Sequence, residues 1–191
     1  MLKAKPDKRA RPDKRARLIQ MAVELAYRRG FRTTSLADIA AGAKVPIGNV
    51  YYYFKTKDQI GEAIVEQRLL EVRTLQQERQ GSPKERLHAC IESVLGNRDM
   101  LARGGCPVGT LCSELHKDGG PLAEKARALF AESLAWIEEQ FRAIGQEDSS
   151  RALAVHLLSA LQGVSVLAHA SQDPDLVVME TRRLKEWINT L

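Results

Sequence analysis

Apolar positions recur every three or four residues along most of the chain, the spacing of helices packed on one face. Leu18, Ala22 and Leu25, with Ile19, Val23 and Ala26 beside them, predict a first helix that starts near residue 12 and stops at Gly30. Ser35-Leu36-Ala37-Asp38 has the form of an N-cap with an acid at the third helical position, and Leu36, Ile39 and Ala40 give the next helix a buried face only about two turns long. Gly42 to Lys44 then supplies a turn. Pro46 suits the first turn of another short helix, in which Val50 and Phe54, four apart, both point inward. A long helix is expected from Thr56 to about Gln80, broken by Gly81-Ser82-Pro83. Further helices are expected at about 83–102, 107–117, 121–144, 150–171 and 175–190, divided by Gly104-Gly105, Gly119-Gly120-Pro121, Gly145 and Pro174. No segment alternates with period two or clusters β-branched residues, so the expected fold class is all-α with about nine helices.

Composition fits a packed protein of 191 residues, 44% of them apolar. The charge is uneven. Residues 1–17 hold eight Lys and Arg against two Asp, so this arm alone carries +6, while the whole chain carries +5 and the remainder −1. Lys5-Pro6-Asp7-Lys8-Arg9-Ala10 is nearly repeated as Arg11-Pro12-Asp13-Lys14-Arg15-Ala16, and such an arm suits a polyanionic partner. No apolar run approaching the ~18 residues of a membrane helix is apparent, and the N-terminus lacks the apolar segment of a signal peptide. Three cysteines without framework spacing suit a reducing compartment, so a cytoplasmic protein is expected.

Two short helices joined by a tight turn and stacked on a longer one make a helix-turn-helix, whose second helix enters the DNA major groove. Here that helix opens Pro46-Ile47-Gly48-Asn49. Gly48 allows close backbone approach. Asn49 carries the donor and acceptor that pair with an adenine edge, and Ile47 suits either a thymine methyl or the protein core. Tyr51, Tyr52 and Tyr53 point about 100° apart on the helix, so they cannot all be buried, and exposed hydroxyls can reach phosphate oxygens. Lys57 adds a charge at the start of the next helix, whose N-terminal amides also favour an anion.

The run Leu36-x-x-Ile-Ala followed by Val45-Pro-x-Gly-Asn-Val-Tyr-Tyr-Tyr-Phe-Lys-x-Lys resembles the DNA-binding domain of the tetracycline-repressor (TetR/AcrR) family over about residues 14–65. The resemblance implies nine helices: a basic arm at 1–12, a helix-turn-helix domain at 13–56 with its motif at about 36–55, and a ligand-binding and dimerisation domain at 57–191. It implies that Ser35 caps the second helix and that Thr34 lies beside the DNA backbone. It puts Pro46, Ile47, Gly48, Asn49, Tyr51 and Tyr53 against DNA and Lys57 on phosphate. Two departures stand out. Lys44 occupies a turn position where the family commonly has glycine, and Pro46 stands where it often has serine.

A single helix-turn-helix reads half a site, so a symmetric dimer is expected. Ala160, Gly163, Ser165 and Ala168 on the penultimate helix, and Leu184, Trp187, Ile188 and Leu191 on the last, either make that interface, as the resemblance implies, or close the protomer's own core. Gly105-Cys106-Pro107-Val108-Gly109 resembles a Gly-Cys-Pro-x-Gly stretch found in one subgroup of the family, at the entry to the sixth helix. Cys106 near a helix N-terminus is a candidate for oxidation or alkylation by an electrophile, or else a small residue chosen for fit. A small-molecule effector pocket is expected among the helices of 83–171, with Leu111, Leu115, Trp136 and His156 as candidate effector residues beside Cys106. Cys112 with His116, and His88 with Cys90, match no compact zinc pattern, so neither metal nor cofactor is expected.

These features point to a DNA-binding transcriptional regulator, a repressor released by a small molecule or an electrophile. Two alternatives are a thiol-dependent helical enzyme with Cys106 as nucleophile, for which the sequence places no base, and a helical adaptor whose tyrosines bind another protein.

Overall fold

The computed structural model describes residues 13–191; the basic arm expected at 1–12 lies outside the described residues. Ten helices follow one another: α1 Lys14–Arg29, α2 Leu36–Ala43, α3 Ile47–Tyr53, α4 Lys57–Glu78, α5 Pro83–Gly96, α6 Arg98–Gly104, α7 Pro107–Asp118, α8 Gly120–Ala143, α9 Ser150–Ser171 and α10 Asp175–Thr190. No strand occurs among the described residues. The one helix expected at 83–102 is two, because Gly96-Asn97 interrupts it. Both residues are weak helix formers, and the Asn97 side chain donates to the Ser93 carbonyl at 2.7 Å, competing with the helical ladder. Otherwise the elements lie within two or three residues of their expected bounds.

The chain divides into two compact units, the first ending at Ile64 and the second running Val65–Leu191, so the division falls inside α4. The first unit is small. Its interior is Leu18 and Ala22 of α1, Ile39, Ala40 and Ala43 of α2, Val45 of the turn, Val50 of α3, Phe54, and Ile60 and Ile64 of α4. Each large apolar side chain there contributes roughly 1.5–3 kcal/mol. α2 is stopped by Lys44, whose φ of 53° is left-handed and whose N–H closes on the Ala40 and Ala41 carbonyls.

The second unit is a helical bundle. Leu87 and Ile91 of α5, Ile137 and Phe141 of α8, Leu157 and Leu161 of α9, and Leu184 and Ile188 of α10 meet in its core. α9 is central to it. This helix is also long and apolar enough to cross a membrane, with a mean hydropathy of 1.5, so the expectation that no segment reaches that length does not hold. In the bundle its Ala154, Leu157, Leu161 and Ala168 are buried among neighbouring helices.

Candidate functional site

In the first unit the turn between α2 and α3 is fixed from three directions. Ser35 forms a capping box with Asp38: the Ser35 amide donates to Oδ2 at 2.9 Å, its hydroxyl donates to the same oxygen at 2.6 Å, and the Asp38 amide donates to Ser35 Oγ at 3.1 Å. Arg29 pairs with Asp38 at 2.8 Å. The Ser35 groups foremost, then Arg29, hold the Asp38 carboxyl down at about 2. At the other end of α2, Arg17 donates to the carbonyls of Ala43 and Lys44. Arg17 belongs to the basic segment expected to face a polyanion, yet the structure gives its guanidinium to a helix C-terminus.

The α3 helix presents a nearly unpartnered surface. Pro46 is its N-cap, one position earlier than expected. Pro46 and Gly48 are exposed, and a Cβ built at Gly48 meets nothing within 4 Å, so its bareness serves nothing inside the chain. Ile47 is 43% exposed, which decides against the core for that residue, while Val50 and Phe54 are buried as anchors. Tyr51 and Tyr52 are 51% and 75% exposed. Tyr53 is half-buried and holds Tyr52 edge-on, with ring centroids 5.0 Å apart. Among the described residues, neither the Asn49 side-chain amide nor any of these three hydroxyls has a hydrogen-bond partner.

Two expected contact residues are held differently. Thr34 is 2% exposed, its hydroxyl donates to the Gly30 carbonyl at 2.8 Å and its amide to Phe31 at 3.2 Å, so neither is on offer to a phosphate. Lys57 donates to the Arg32 carbonyl at 2.6 Å and its Nζ sits 4.9 Å over the Phe31 ring, which positions the ammonium while leaving further donors. The start of α4 is capped by Thr56, whose hydroxyl accepts from Gln59 N–H at 3.2 Å, while Gln59 Oε1 accepts from Lys55 N–H at 2.6 Å. The Thr56-x-x-Gln59 spacing is the sequence signature of that cap.

In the second unit a cleft of about 560 Å³ lies between the later turns of α4 and helices α5, α8 and α9. Val72, Cys90, Val94, Ile137, Leu158 and Leu161 give it apolar walls, and Trp136 lines it as expected. Leu111 and Leu115 do not: α7 packs directly on α8, and both leucines are buried there. His156 does not either, lying edge-on to Trp187 at 4.7 Å. Arg79, just past the end of α4, closes one side, donating to Ser93 Oγ at 3.2 Å with its guanidinium 5.0 Å over the Trp136 ring.

Cys106 is the N-cap of α7, its sulfur accepting from Gly109 N–H at 3.4 Å and from Gln162 Nε2 at 3.5 Å. Gln162 also lines the cleft. A Cβ at Gly109 would lie 2.6 Å from Gln162 Oε1, so glycine there lets the glutamine reach the thiol. No base is among these partners, so nothing here activates Cys106 as an enzymatic nucleophile. Burial pushes the Cys90 thiol up and the Cys112 thiol to about 11. His116 Nδ1 meets the Cys112 carbonyl at 2.8 Å and His88 Nε2 meets Asn189 Oδ1 at 2.9 Å, and no group of three or more metal-ligating side chains assembles among the described residues.

Residues 18–64 match the model for bacterial regulatory proteins of the tetR family, and residues 83–178 match that for the transcriptional regulator LmrA/YxaF-like C-terminal domain. The chain belongs to the TetR family. The first match covers the α1 to α4 segment that carries the helix-turn-helix, and the second covers the α5, α8 and α9 walls of the cleft. Among curated relatives, the chain is 29% identical over 118 residues to the HTH-type transcriptional repressor NemR of Escherichia coli strain K12, a match covering 58% of this chain and 56% of that one. The chain thus spans about half the length of the curated relatives it matches. A TetR transcriptional regulator from Legionella pneumophila shares the fold at a TM-score of 0.81 and 19% identity, over 94% of this chain and 97% of that one. The reduced form of E. coli NemR does so at 0.77 and 20%, over 91% and 96%.

Proposed function

We propose that this TetR-family chain is a cytoplasmic transcriptional repressor that binds a palindromic operator as a homodimer and is released by a small molecule or an electrophile. The observation that carries this is the α3 surface, where the Asn49 side-chain amide and three tyrosine hydroxyls stand without partners among the described residues. Polar groups left open beside an exposed apolar Ile47 suit the mixed edge of a base pair and its phosphates. The basic arm adds the sequence-independent attraction.

Dimerisation is assigned to α9 and α10, on a set of residues that shares Ala160 and Gly163 with the one the sequence suggested. Ser165, Ala168, Leu184 and Ile188 are buried in the protomer's own core. The outward face instead carries Val166 at 66% exposure, Leu167 and Met179, beside a groove of about 710 Å³ that Ala160 and Gly163 help to line. Apolar side chains this exposed on adjoining helices suit a second copy of the chain.

Release is assigned to the cleft and to Cys106. Gln162 touches both, so a ligand that displaces it also removes a hydrogen bond from the thiol, and modification of the thiol disturbs a cleft wall. Each signal then acts through its differential affinity for two states. A mobility-shift titration with DNA from beside the gene tests the scheme. Binding should fall steeply with salt, and an alkylating electrophile should release DNA from the parent but not from Cys106→Ser. Equal release from both proteins removes the thiol from the mechanism.

A further inference from the structure

The cleft between α4, α5, α8 and α9 continues, past Gln76, Arg79 and Trp136, into a second, polar cleft of about 760 Å³. The two have opposite characters. The first is walled by aliphatic side chains, while the second is lined by Arg73, Arg79 and Arg86 with Glu139 as its carboxylate. Arg73 is already neutralised, gripping Glu132 through Nε at 2.7 Å and through its Nη2 at 2.5 Å. Arg79 has only the neutral Ser93 hydroxyl and the Trp136 ring as partners. Arg86 is less satisfied still, because its Nε is buried and has no hydrogen-bond partner. Glu139 is exposed and forms no ion pair among the described residues. Buried guanidinium N–H groups without an acceptor are rare in native proteins and call for one.

We propose that the ligand of this site is a small organic anion: a flat apolar body lying in the aliphatic cleft against Trp136, with one carboxylate-like head held by Arg79 and Arg86. This rests on the assignment of the cleft as the effector site and names the effector's class. A carboxylate matches the planar fork of a guanidinium, and both Arg79 and Arg86 line the polar cleft.

Calorimetric titration of the full chain, without DNA, with naphthoate and with the matching neutral naphthylmethanol tests the class. Naphthoate should bind at least about tenfold more tightly. Arg86→Gln and Arg79→Gln should each erase that preference and leave the alcohol's affinity unchanged. Circular dichroism confirms that the variants are folded, and Arg86→Lys, which keeps the charge, should retain part of the preference. Equal binding of the two probes, binding of neither, or a preference that survives both glutamine variants overturns the proposal. Adding operator DNA separates the two levels. If naphthoate binds through the arginines but does not release DNA, the anion site stands and the effector role fails. If the neutral alcohol alone binds and releases DNA, the effector role stands and the anion proposal fails.

Discussion

The two units use their residues in opposite ways. In the first, the interior is modest and the candidate chemistry is on the outside, on a seven-residue helix anchored by Val50 and Phe54. Nearly every polar group around that helix is committed: Ser35 to Asp38, Arg17 to the Ala43 and Lys44 carbonyls, Lys57 to Arg32. What remains uncommitted is the α3 surface. In the second unit the candidate effector chemistry is a gap between helices, bordered by an arginine with a buried, partnerless nitrogen. A surface site shows itself by which residue types are left over. An internal site shows itself only once the helices are assembled.

The comparison can be tested by removing a support from each unit. Phe141 is the largest fully buried side chain, and Phe141→Ala should lower stability by about 3–5 kcal/mol in denaturant titration. A loss under 1 kcal/mol would mean that the bundle core is not organised around it. Ser35→Ala removes a cap rather than core and should cost about 1 kcal/mol, read from the melting of the first unit. The same capping box gives a pH signature. Asp38 is held at about 2 against an ordinary value of 3.8, so its contribution is complete above about pH 4 and is lost as the pH falls from there towards 2. Asp38→Asn should flatten that acid limb, and an unchanged limb would locate the acid sensitivity elsewhere.

The smallest expected effect runs the other way. Lys44 is a non-glycine residue at φ 53°, so Lys44→Gly should stabilise the first unit by about 1 kcal/mol. A destabilised variant would show that the lysine makes a compensating interaction. The three thiols sharpen the contrast within the second unit. Maleimide at neutral pH should label half-buried Cys106 before Cys112, whose thiol burial lifts to about 11, and peptide mass spectrometry reads the order. Labelling of Cys112 first would remove Cys106 as the sensor.

How much of this was legible follows from the range of the contacts involved. Val50 and Phe54, the Ser35–Asp38 box and the α9 and α10 bounds are local, set by spacing and capping, and could be read directly. Lys44 was legible as a departure from the glycine common at that turn, and the structure holds it left-handed at φ 53°. Thr34 was misplaced because a threonine before an N-cap looks available, and only the fold shows Gly30 accepting from its hydroxyl. The α9 and α10 stripes were legible only as a choice between a dimer interface and the protomer's own core, because an apolar stripe does not reveal which of two neighbours covers it, and Ser165, Ala168, Leu184 and Ile188 prove to be buried in the core. Gln162 was invisible beside Cys106, 56 residues away, and nothing local sets Arg79 or Arg86 apart from other arginines. An arginine pair seven apart on either side of the Gly81-Ser82-Pro83 break, with no acid three or four residues from either, offered only a faint signal.

The central claim is that α3 reads DNA while its anchors merely hold it. The direct measurement is the affinity of Asn49→Ala/Tyr51→Ala for operator DNA by fluorescence anisotropy at fixed salt, alongside its circular dichroism and melting temperature. Loss of about 100-fold or more in affinity with an unchanged melt is the predicted result, since one good base-edge pair alone contributes about 1–3 kcal/mol. Affinity equal to that of the parent in a folded double variant would contradict the assignment of α3 as the recognition helix.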